Sequence, residues 1–433
     1  MKIAVVGAGY VGLPTSIGFA ELGHDVTCIE CQQNKVEALR RGEITIYEDG
    51  LEDLFQKNLK SGGVKFTTKM QEGISDADLV ILAVATPPHP VTKEADMKYI
   101  HAAATELAEY LNGYTIVATK STVPVGTGDD VEDLINQANS DADCDVVSMP
   151  EFLREGFAVH DFFNPDRVVI GTNSEKAANI LNDLYEPFKA KSQVLTVGRR
   201  SAELIKYASN AFLSVKLHYI NEIADLCEKT GADIDDVAKG IGSDSRIGNK
   251  FLNPGPGYGG SCFPKDTNAL SYIGRINDID LSIINSTIKG NDQRTINMVD
   301  RITDKIADIK TDKIAVLGLA FKGGTDDCRN SPALDIVSEL VRRGADITAY
   351  DPKAMSNAKE LIGDKISYAN DMHSVADGAD VLVILTEWEE FRDLDLDKIK
   401  SLLKAPKIVD LRNILDYKTV KASGIEYSSI GRR

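Results

Sequence analysis

The sequence lacks any long uninterrupted run of apolar residues, although 43% of its 433 residues are hydrophobic. No run reaches the roughly 18–20 residues that a membrane-spanning helix needs. Met1 leads directly into a strand pattern at Lys2, without the basic segment and cleavage site of an export signal. We therefore expect a protein that does not associate with membranes and has a cytoplasmic location.

Positive charge is also scarce. The chain has 49 Lys and Arg residues against 66 Asp and Glu residues, which gives a formal net charge of −17. Domains that bind nucleic acid usually present a basic face that neutralises phosphates. This charge balance therefore argues against DNA or RNA as a partner.

Cysteines are few and scattered, so they do not outline a disulfide framework, and a reducing compartment is favoured. Two of them have C-x-x-C spacing, but no second pair or nearby group of histidines completes a metal site. We therefore predict no metal. The six cysteines are Cys28, Cys31, Cys144, Cys227, Cys262 and Cys328.

The order of apolar runs predicts three regions. Short apolar runs alternate with helical stretches in residues 1–198, and the same alternation restarts in residues 310–433. This alternation is typical of βαβ units and a mostly parallel sheet. Residues 199–295 have a helical pattern instead. The predicted fold class is α/β, with two doubly wound Rossmann-like domains joined by a long central helix.

The central region opens with a stretch from Ser201 to Thr230 that contains neither Gly nor Pro. Apolar residues recur there at steps of three or four, which predicts an amphipathic helix of about 29 residues, ended by Gly231. A helix this long usually bridges domains or forms a dimer interface, so we expect at least a dimer. The predicted apolar face consists of Ala202, Ile205, Ala208, Phe212, Val215, Tyr219, Ile223 and Leu226.

The stretch "GAGYVG" follows the first predicted strand and opens a helix, which is the context that the G-x-G-x-x-G pattern requires. In this pattern Gly7 permits a tight turn, Gly9 leaves room for a pyrophosphate, and Gly12 lets the helix pack against the strand. Glu30 ends the second predicted strand, where its carboxylate can accept hydrogen bonds from ribose hydroxyls. A carboxylate repels a 2′-phosphate, so NAD is favoured over NADP.

Further polar residues follow predicted strands at the same edge of the sheet, where sites of α/β proteins gather. Thr122 belongs to "KSTVPVGTG" and Glu151 to "MPEF". On the predicted long helix, Lys206 and Asn210 stand four residues apart and so share a face. Taken alone, each of these residues is equally consistent with an ordinary surface position.

The segment "GPGYGGSCFPKD" places Cys262 among glycines, close to Lys265 and Asp266, in a stretch that we do not expect to be regular. A neighbouring cation lowers the pKa of a thiol, and the glycines would let a substrate approach the backbone. The alternative is a buried cysteine that acts as a small hydrophobe. With NAD, a thiolate can trap an aldehyde as a thiohemiacetal, which is oxidised to a thioester and hydrolysed to an acid.

Several stretches, in order, resemble the UDP-glucose/GDP-mannose dehydrogenase family of nucleotide-sugar dehydrogenases. They are "KIAVVGAGYVGL", "KSTVPVGT", "PEFLREG", "ELIKYASNAFLSVK", "RIGNKFLNPGPGYGGSCFPKDT" and "FKGGTDDCRNSPAL". The resemblance implies a four-electron, NAD-dependent oxidation of UDP-glucose to UDP-glucuronate by a homodimer. GDP-mannose and UDP-N-acetylhexosamines are alternative substrates within the family.

The resemblance also implies roles for individual residues. Cys262 would be the nucleophile, Lys206 with Asn210 would stabilise the oxyanion, and Glu151 would be the general base for thioester hydrolysis. The remaining implied catalytic residues are Asp266, which would position water or transfer a proton, and Thr122, which would help hold that water.

The binding positions that the resemblance implies fall into two sets. The cofactor set is Gly7, Gly9, Tyr10, Val11, Gly12, Glu30, Lys35, Thr86, Thr122, Lys265 and Arg329. The substrate set is Glu151, Phe152, Leu153, Lys206, Asn210, Arg246, Phe251, Tyr258, Gly259, Phe321 and Lys322, with Arg246 reaching the sugar of the neighbouring subunit. By the same assignment, residues 1–198 would bind NAD, residues 199–295 would carry the cysteine loop and the dimer interface, and residues 310–433 would bind the UDP-sugar.

Two other classes remain open at this stage. A β-hydroxyacid dehydrogenase shares a Rossmann domain and a central helix, but transfers one hydride without a thiol and has no second α/β domain. A regulator that only senses the dinucleotide would be expected to lose Cys262, Lys206 or Asp266, and all three are present.

Overall fold

Short apolar strands, most of them buried on both faces, build two sheets in a computed structural model, which describes residues 1–432. Continuous apolar runs suit parallel strands that are covered by helices on both sides. The chain divides into two units, residues 1–209 and 210–433. The α/β prediction of two doubly wound halves joined by a long helix is confirmed.

The sheet of the first unit has the strand order β3-β2-β1-β4-β5-β6-β7-β8. Neighbouring strands are parallel, except that β7 pairs with β6 in the antiparallel direction. The first six strands follow the doubly wound order 3-2-1-4-5-6, so their carboxyl ends share one edge. The strands are β1 (Lys2–Val6), β2 (Asp25–Ile29), β3 (Val64–Thr67), β4 (Leu79–Leu82), β5 (Thr115–Thr119), β6 (Cys144–Ser148), β7 (Arg167–Gly171) and β8 (Gln193–Val197).

Helices connect these strands, and their apolar residues are buried against the sheet in two clusters, one on each side. They are α1 (Gly12–Glu21), α2 (Gln33–Arg40), α3 (Leu51–Ser61), α4 (Met70–Ile74), α5 (Lys98–Ala108), α6 (Thr127–Ala138), α7 (Ala158–Phe163) and α8 (Glu175–Leu184), with a 3₁₀ turn at Glu186–Phe188.

The second unit repeats the same winding with six parallel strands in the order β11-β10-β9-β12-β13-β14. The strands are β9 (Lys313–Leu317), β10 (Asp346–Tyr350), β11 (Ser367–Tyr368), β12 (Val381–Ile384), β13 (Lys407–Asp410) and β14 (Glu426–Ser429). The helices are α10 (Ile234–Gly242), α11 (Phe263–Ile276), α12 (Ser282–Thr303), α13 (Pro332–Arg342), α14 (Met355–Ile362), α15 (Leu396–Leu402) and α16 (Tyr417–Ala422). Three 3₁₀ turns complete it, at Gly363–Lys365, Ser374–Ala376 and Glu389–Asp393.

The predicted long helix is present as α9 (Arg199–Thr230), 32 residues long, and Gly231 ends it with a φ of +82°. The residues of its predicted apolar face are divided between the core and solvent, since Ala202 is fully buried and Ile223 packs against the apolar core of the second unit. Phe212, Tyr219 and Leu226 are 63%, 47% and 56% exposed. The buried positions of α9 include polar residues such as Lys206 and Asn210 beside apolar ones such as Tyr207 and Ile220. Part of the apolar stripe is therefore left on the surface of the unit.

The first turn of each sheet is built alike. Gly7 and Gly318 follow β1 and β9 with φ values of +107° and +96°. Each donates its backbone N–H to the end of the neighbouring strand, at 2.7 Å to the Ile29 carbonyl and 2.8 Å to the Tyr350 carbonyl. The two units therefore share a local motif as well as a strand order.

Among residues 1–432, no helix combines the length and the apolar character that crossing a bilayer requires.

Candidate active site

The glycine turn between β1 and α1 has the geometry that a dinucleotide site needs. A Cβ on Gly12 would lie 1.8 Å from the Gly7 carbonyl oxygen, so only glycine lets the helix approach this closely. A Cβ on Gly9 would meet no atom within 4 Å, which leaves the backbone open on the ligand side. The first turn of α1 supplies N–H groups and a positive dipole end for phosphates. The turn therefore fits the pyrophosphate of NAD.

Glu30 follows β2 beside this turn and is buried at 7% exposure. Its carboxylate accepts hydrogen bonds from the Ala8 N–H at 3.1 Å and the Gln32 N–H at 3.0 Å. A carboxylate has about four lone-pair positions, so this one can also accept from ribose hydroxyls. The charge disfavours a 2′-phosphate at the same place.

The other predicted cofactor positions of the first unit lie around the same edge of the sheet. Tyr10 and Val11 belong to the glycine turn, and Lys35 is on α2. Thr86 follows β4 and donates its hydroxyl to the Thr122 carbonyl at 3.0 Å. This bond ties the loops after β4 and β5 together.

Asp351 occupies the position in the second unit that Glu30 occupies in the first, at the end of β10. Its carboxylate already has five donors, two on one oxygen and three on the other. One of the five is the indole Nε1 of Trp388, at 3.1 Å. These donors use up the acceptor positions of the Asp351 carboxylate. The second turn is therefore less suited than the first to accept hydrogen bonds from ribose hydroxyls.

Lys206 and Glu151 form a buried ion pair in the first unit. The Lys206 ammonium donates to the Glu151 carboxylate at 2.9 Å and to the Glu151 backbone carbonyl at 2.8 Å. The side chains are 4% and 5% exposed. The other carboxylate oxygen accepts from the Leu153 N–H at 2.5 Å. The loop after β6 and the first half of α9 thus hold two predicted catalytic groups in direct contact.

A second buried lysine, which the sequence analysis did not identify, lies near this pair. Lys120 follows β5 and is 8% exposed. Burial lowers its pKa to about 8, the charge of Glu151 acts in the opposite direction, and that of Lys206 lowers it further. In the sequence, only its position directly before Ser121 and Thr122 at a strand end indicates that Lys120 could belong to the site. Three ionisable groups therefore share one poorly solvated region.

Phe152, a predicted substrate position, is flanked by two cations of the same unit. The Arg167 guanidinium lies 3.7 Å from the ring centroid, and the Lys206 ammonium lies 5.4 Å from it. Burial lowers the pKa of Arg167, and the guanidinium also donates to the Ser209 hydroxyl at 3.2 Å. The ring is therefore fixed by cation–π contacts, and Arg167 is a further residue that sequence reasoning missed.

In the second unit, Cys262 is the residue that caps the N-terminus of α11. The expectation that "GPGYGGSCFPKD" is irregular throughout is wrong for its last four residues, which form the first turn of this helix. Pro264 is tolerated there because its missing N–H would have no partner in the helix. The half-buried thiol lies 3.5 Å from the Ser261 hydroxyl.

Asp266 is fully buried one turn after Cys262. It accepts hydrogen bonds from Asn210 Nδ2 at 2.6 Å and from Lys265 Nζ at 2.5 Å. Within the second unit, the carboxylate of Asp266 is therefore held by an amide and an ammonium. Asn210 on α9 and the start of α11 are joined by this cluster.

The glycines before Cys262 are packed by the chain itself. A Cβ on Gly259 would lie 2.2 Å from the Asn330 carbonyl oxygen, and one on Gly260 would lie 2.7 Å from the Phe321 ring. Protein atoms fill the space that a Cβ would take at these two positions, and the approach of a substrate to the backbone of this loop stays a prediction. The glycines let the cysteine loop lie against the segment that follows β9.

Two aromatic residues predicted to line the substrate pocket pack on Phe263, with centroid distances of 6.1 Å for Phe251 and 6.4 Å for Tyr258. The Asn291 side chain holds the backbone of Tyr258 with two hydrogen bonds, at 2.9 and 3.0 Å. Burial raises the pKa of Tyr258 to about 12. Phe251 has a φ of +64°, which is unusual for a residue with a side chain.

Three predicted cationic positions lie in loops of the second unit. Arg246 is exposed and forms an ion pair with Asp244 at 2.5 Å, and Arg329 forms one with Asp327 at 2.7 Å. Lys322 follows Phe321 in the loop after β9, and its ammonium is 5.4 Å from that ring's centroid.

Arg412, which the sequence analysis did not select, donates to the Phe321 carbonyl at 2.8 Å and to the Leu385 carbonyl at 2.8 Å. It therefore supports the loop that carries Phe321 and Lys322.

A dinucleotide turn of this construction, in a chain with a second doubly wound unit, defines a two-domain NAD-dependent dehydrogenase. Three sequence profiles of the UDP-glucose/GDP-mannose dehydrogenase family match the chain. The NAD binding domain matches residues 1–189, the central domain residues 200–293, and the UDP binding domain residues 315–417.

Relatives agree over the full length. The UDP-glucose 6-dehydrogenase of Rhizobium meliloti strain 1021 is 49% identical over 436 residues and covers 100% of both chains. The solved UDP-glucose dehydrogenase of Pyrobaculum islandicum is 35% identical, with a TM-score of 0.93 over 100% of this chain and 98% of that one. The UDP-D-ManNAc dehydrogenase of Pyrococcus horikoshii is 28% identical, with a TM-score of 0.88 over 100% and 99%. The chain belongs to the UDP-glucose/GDP-mannose dehydrogenase family, and both its predicted family and its predicted cofactor, NAD, are confirmed.

Proposed function

We propose that the enzyme oxidises UDP-glucose to UDP-glucuronate, through a thioester on Cys262. The observation that carries the choice of substrate is the end-to-end match, at 49% identity, to a relative named for UDP-glucose. Structural similarity to the Pyrobaculum islandicum UDP-glucose dehydrogenase supports the same choice. The UDP binding domain profile on residues 315–417 supports a nucleotide-sugar substrate.

The chemistry divides among named residues. When bound, NAD⁺ accepts the hydride in each of two oxidations. The first oxidation removes a hydride from C6 and the proton of its hydroxyl, which gives the aldehyde. The Cys262 thiolate adds to this aldehyde, and the resulting thiohemiacetal becomes a thioester when it loses the second hydride and its hydroxyl proton. Lys206 and Asn210 stabilise the negative oxygen of the adduct. Glu151 takes a proton from water, which attacks the thioester, releases the acid and regenerates the thiol.

Two features of the first unit support these roles. The Lys206–Glu151 pair is almost completely buried, and an ammonium in such surroundings stabilises a developing oxyanion more strongly than it would in water. Their direct contact also places the proposed base next to the ammonium that would stabilise the oxyanion.

The position of Cys262 supports the role of nucleophile. The first turn of α11 presents unpaired N–H groups and a positive dipole end toward this residue, and both stabilise a thiolate. Lys265, in the same turn, adds a cation, while its contact with Asp266 neutralises the neighbouring carboxylate. A thiolate is the form that attacks an aldehyde.

A second candidate substrate is UDP-N-acetylmannosamine, because the Pyrococcus horikoshii enzyme of that specificity has a TM-score of 0.88 against this chain. The lower identity of that enzyme, 28%, makes it the weaker candidate.

The test compares UDP-glucose, UDP-N-acetylmannosamine and GDP-mannose as substrates of the purified enzyme, with NADH counted against sugar consumed. We expect two NADH for each UDP-glucose, and little turnover of the other two sugars. Cys262→Ser should abolish full turnover. Turnover of another sugar alone would refute the substrate, and normal turnover by Cys262→Ser would refute the covalent route.

The exposed apolar stripe of α9 supports a homodimer. Phe212, Tyr219 and Leu226 are seven residues apart and line one side of the helix, the spacing found where two helices pack lengthwise. We propose that a second copy of the chain covers this stripe, and that Arg246, which is exposed beside its Asp244 partner, contacts the sugar bound by that copy. Residues 1–198, 199–295 and 310–433 would then act as the NAD, central and UDP-sugar domains.

A further inference from the structure

Glu203 is a buried carboxylate that none of the proposed catalytic roles uses. It lies on α9 one turn before Lys206 and is 2% exposed. Three donors converge on it. The Gly126 N–H is 2.7 Å from one oxygen, and the Gly128 N–H at 2.8 Å and the Ser148 hydroxyl at 2.9 Å contact the other. Burial raises the pKa of Glu203, and the three hydrogen bonds oppose that change.

Each donor belongs to a segment that carries a proposed catalytic group. Gly126 and Gly128 stand at the start of α6, directly after the loop that bears Thr122. Ser148 is the last residue of β6, three residues before Glu151. Glu203 itself is on the helix that bears Lys206. One carboxylate therefore joins the three backbone segments on which Thr122, Glu151 and Lys206 depend.

The contact leaves little room for adjustment. A Cβ on Gly128 would lie 3.1 Å from both the Glu203 carboxylate and the Ser148 hydroxyl. A Cβ on Gly171 would lie 2.4 Å from the Ala202 side chain, so α9 is also pressed against the end of β7. These contacts oppose small shifts of α9 along its axis, and so set the position of Lys206 along that axis relative to Glu151.

A separate contact already attaches α9 to α6. Arg199 forms ion pairs with Asp129 and Glu132, each at 2.7 Å. Simple attachment of the two helices therefore does not require Glu203. Arg199 also donates to the Val146 carbonyl in the middle of β6, at 3.3 Å. What Glu203 adds is the link to Ser148 at the end of β6 and to the main chain that follows the Thr122 loop.

We propose that Glu203 is a positioning residue that holds the Thr122 loop and the Glu151 strand end in register with Lys206. This inference rests on the proposed function. Because Glu151 and Thr122 act in thioester hydrolysis, loss of Glu203 should slow hydrolysis more than the preceding oxidations. The covalent intermediate on Cys262 should then accumulate.

The experiment quenches the enzyme in acid during turnover of NAD⁺ and UDP-glucose, and measures by intact mass the fraction of chains that carry the acyl adduct. Glu203→Gln keeps the shape of the side chain but places an NH₂ group against a donor. We expect kcat to fall about 10- to 100-fold, the range that misplaced catalytic groups produce. KM should change little and the acylated fraction should rise.

Glu132→Gln is the matched control, since it weakens the Arg199 attachment without touching Glu203. We expect it to lower the melting temperature and leave the acylated fraction unchanged. Ser148→Ala removes a single donor to Glu203 and provides a milder variant if Glu203→Gln folds poorly. It should raise the acylated fraction to a smaller extent.

Glu151→Gln distinguishes the covalent route from the positioning role of Glu203, because this variant should accumulate the adduct if hydrolysis needs Glu151 as its base. Accumulation in Glu151→Gln but not in Glu203→Gln or Ser148→Ala would overturn the positioning role alone. An equal rise in Glu132→Gln would overturn it as well, because any loosening of α9 would then suffice. No adduct in Glu151→Gln would remove the covalent route and this inference together.

Discussion

Replacing Lys120 with methionine should stabilise the protein at neutral pH. Methionine has nearly the length of lysine, and it removes a charge from a position that is 8% exposed. The pKa of Lys120 is lowered from 10.5 to about 8, chiefly because burial disfavours the ammonium. At about 1.4 kcal/mol per pH unit, this difference corresponds to about 3 kcal/mol of lost stability.

The dependence on pH follows from proton binding. Below pH 8 the folded and unfolded chains both hold the proton, so the full penalty applies. Between about pH 8 and pH 10.5 the folded protein binds fewer protons than the unfolded chain, and its free energy of unfolding therefore rises with pH. The advantage of Lys120→Met should consequently be greatest at neutral pH, fall by more than half at about pH 9.5, and vanish above about pH 10.5.

Urea unfolding, followed by circular dichroism at about pH 7 and about pH 9.5, measures this difference. Lys65→Met is the control, because Lys65 lies on β3 of the same sheet with its side chain 61% exposed. The control should change stability by less than about 1 kcal/mol at either pH. A Lys120→Met protein less stable than wild type at neutral pH, or equally affected at both pH values, would show that the Lys120 ammonium is well solvated or paired.

Three further outcomes follow from the geometry. Gly12→Ala places a Cβ 1.8 Å from the Gly7 carbonyl oxygen, so NADH binding measured by fluorescence titration should be lost and the melting temperature should fall. Gly240→Ala is the control, because a Cβ there meets no atom within 4 Å, and it should leave both unchanged. Lys206→Ala should lower kcat by about 10²- to 10³-fold if the ammonium stabilises an oxyanion, and a change confined to KM would contradict that role. Phe212→Glu should convert a dimer to monomers in light scattering. Leu361→Glu, at a position 59% exposed on α14, should not. A Phe212→Glu protein that stays dimeric would exclude this face of α9 as the interface.

The glycine turn and the C-terminal end of α9 were predictable because they depend on backbone geometry that few residues allow. Close main-chain contacts at Gly7 and Gly12 allow no side chain, so the turn can be recognised in the sequence from the spacing of its glycines. Gly231 ends α9 in the left-handed conformation that favours glycine. The two mostly parallel sheets followed from the alternation of apolar runs with helices, since local periodicity reflects burial.

Orientation was harder to predict. Periodicity shows that apolar residues recur along α9, but not which of them face the core: Ala202 is buried and Phe212 is exposed, while the polar Lys206 and Asn210 are buried. Lys120 and Glu203 were missed for a related reason. A lysine after a strand and a glutamate on a helix are ordinary in sequence, and only the packing around them reveals that they are buried.

The contrast between Glu30 and Asp351 shows how two similar halves of one chain can differ in the ligands that they bind. Both turns begin from the same glycine geometry, so each has the framework to receive an adenosine. In the second half, however, four backbone N–H groups and the Trp388 indole already donate to the acidic group. We therefore expect the coenzyme to prefer the first half, because a shared turn can be given to different ligands by how far its acidic residue is already hydrogen-bonded within the protein.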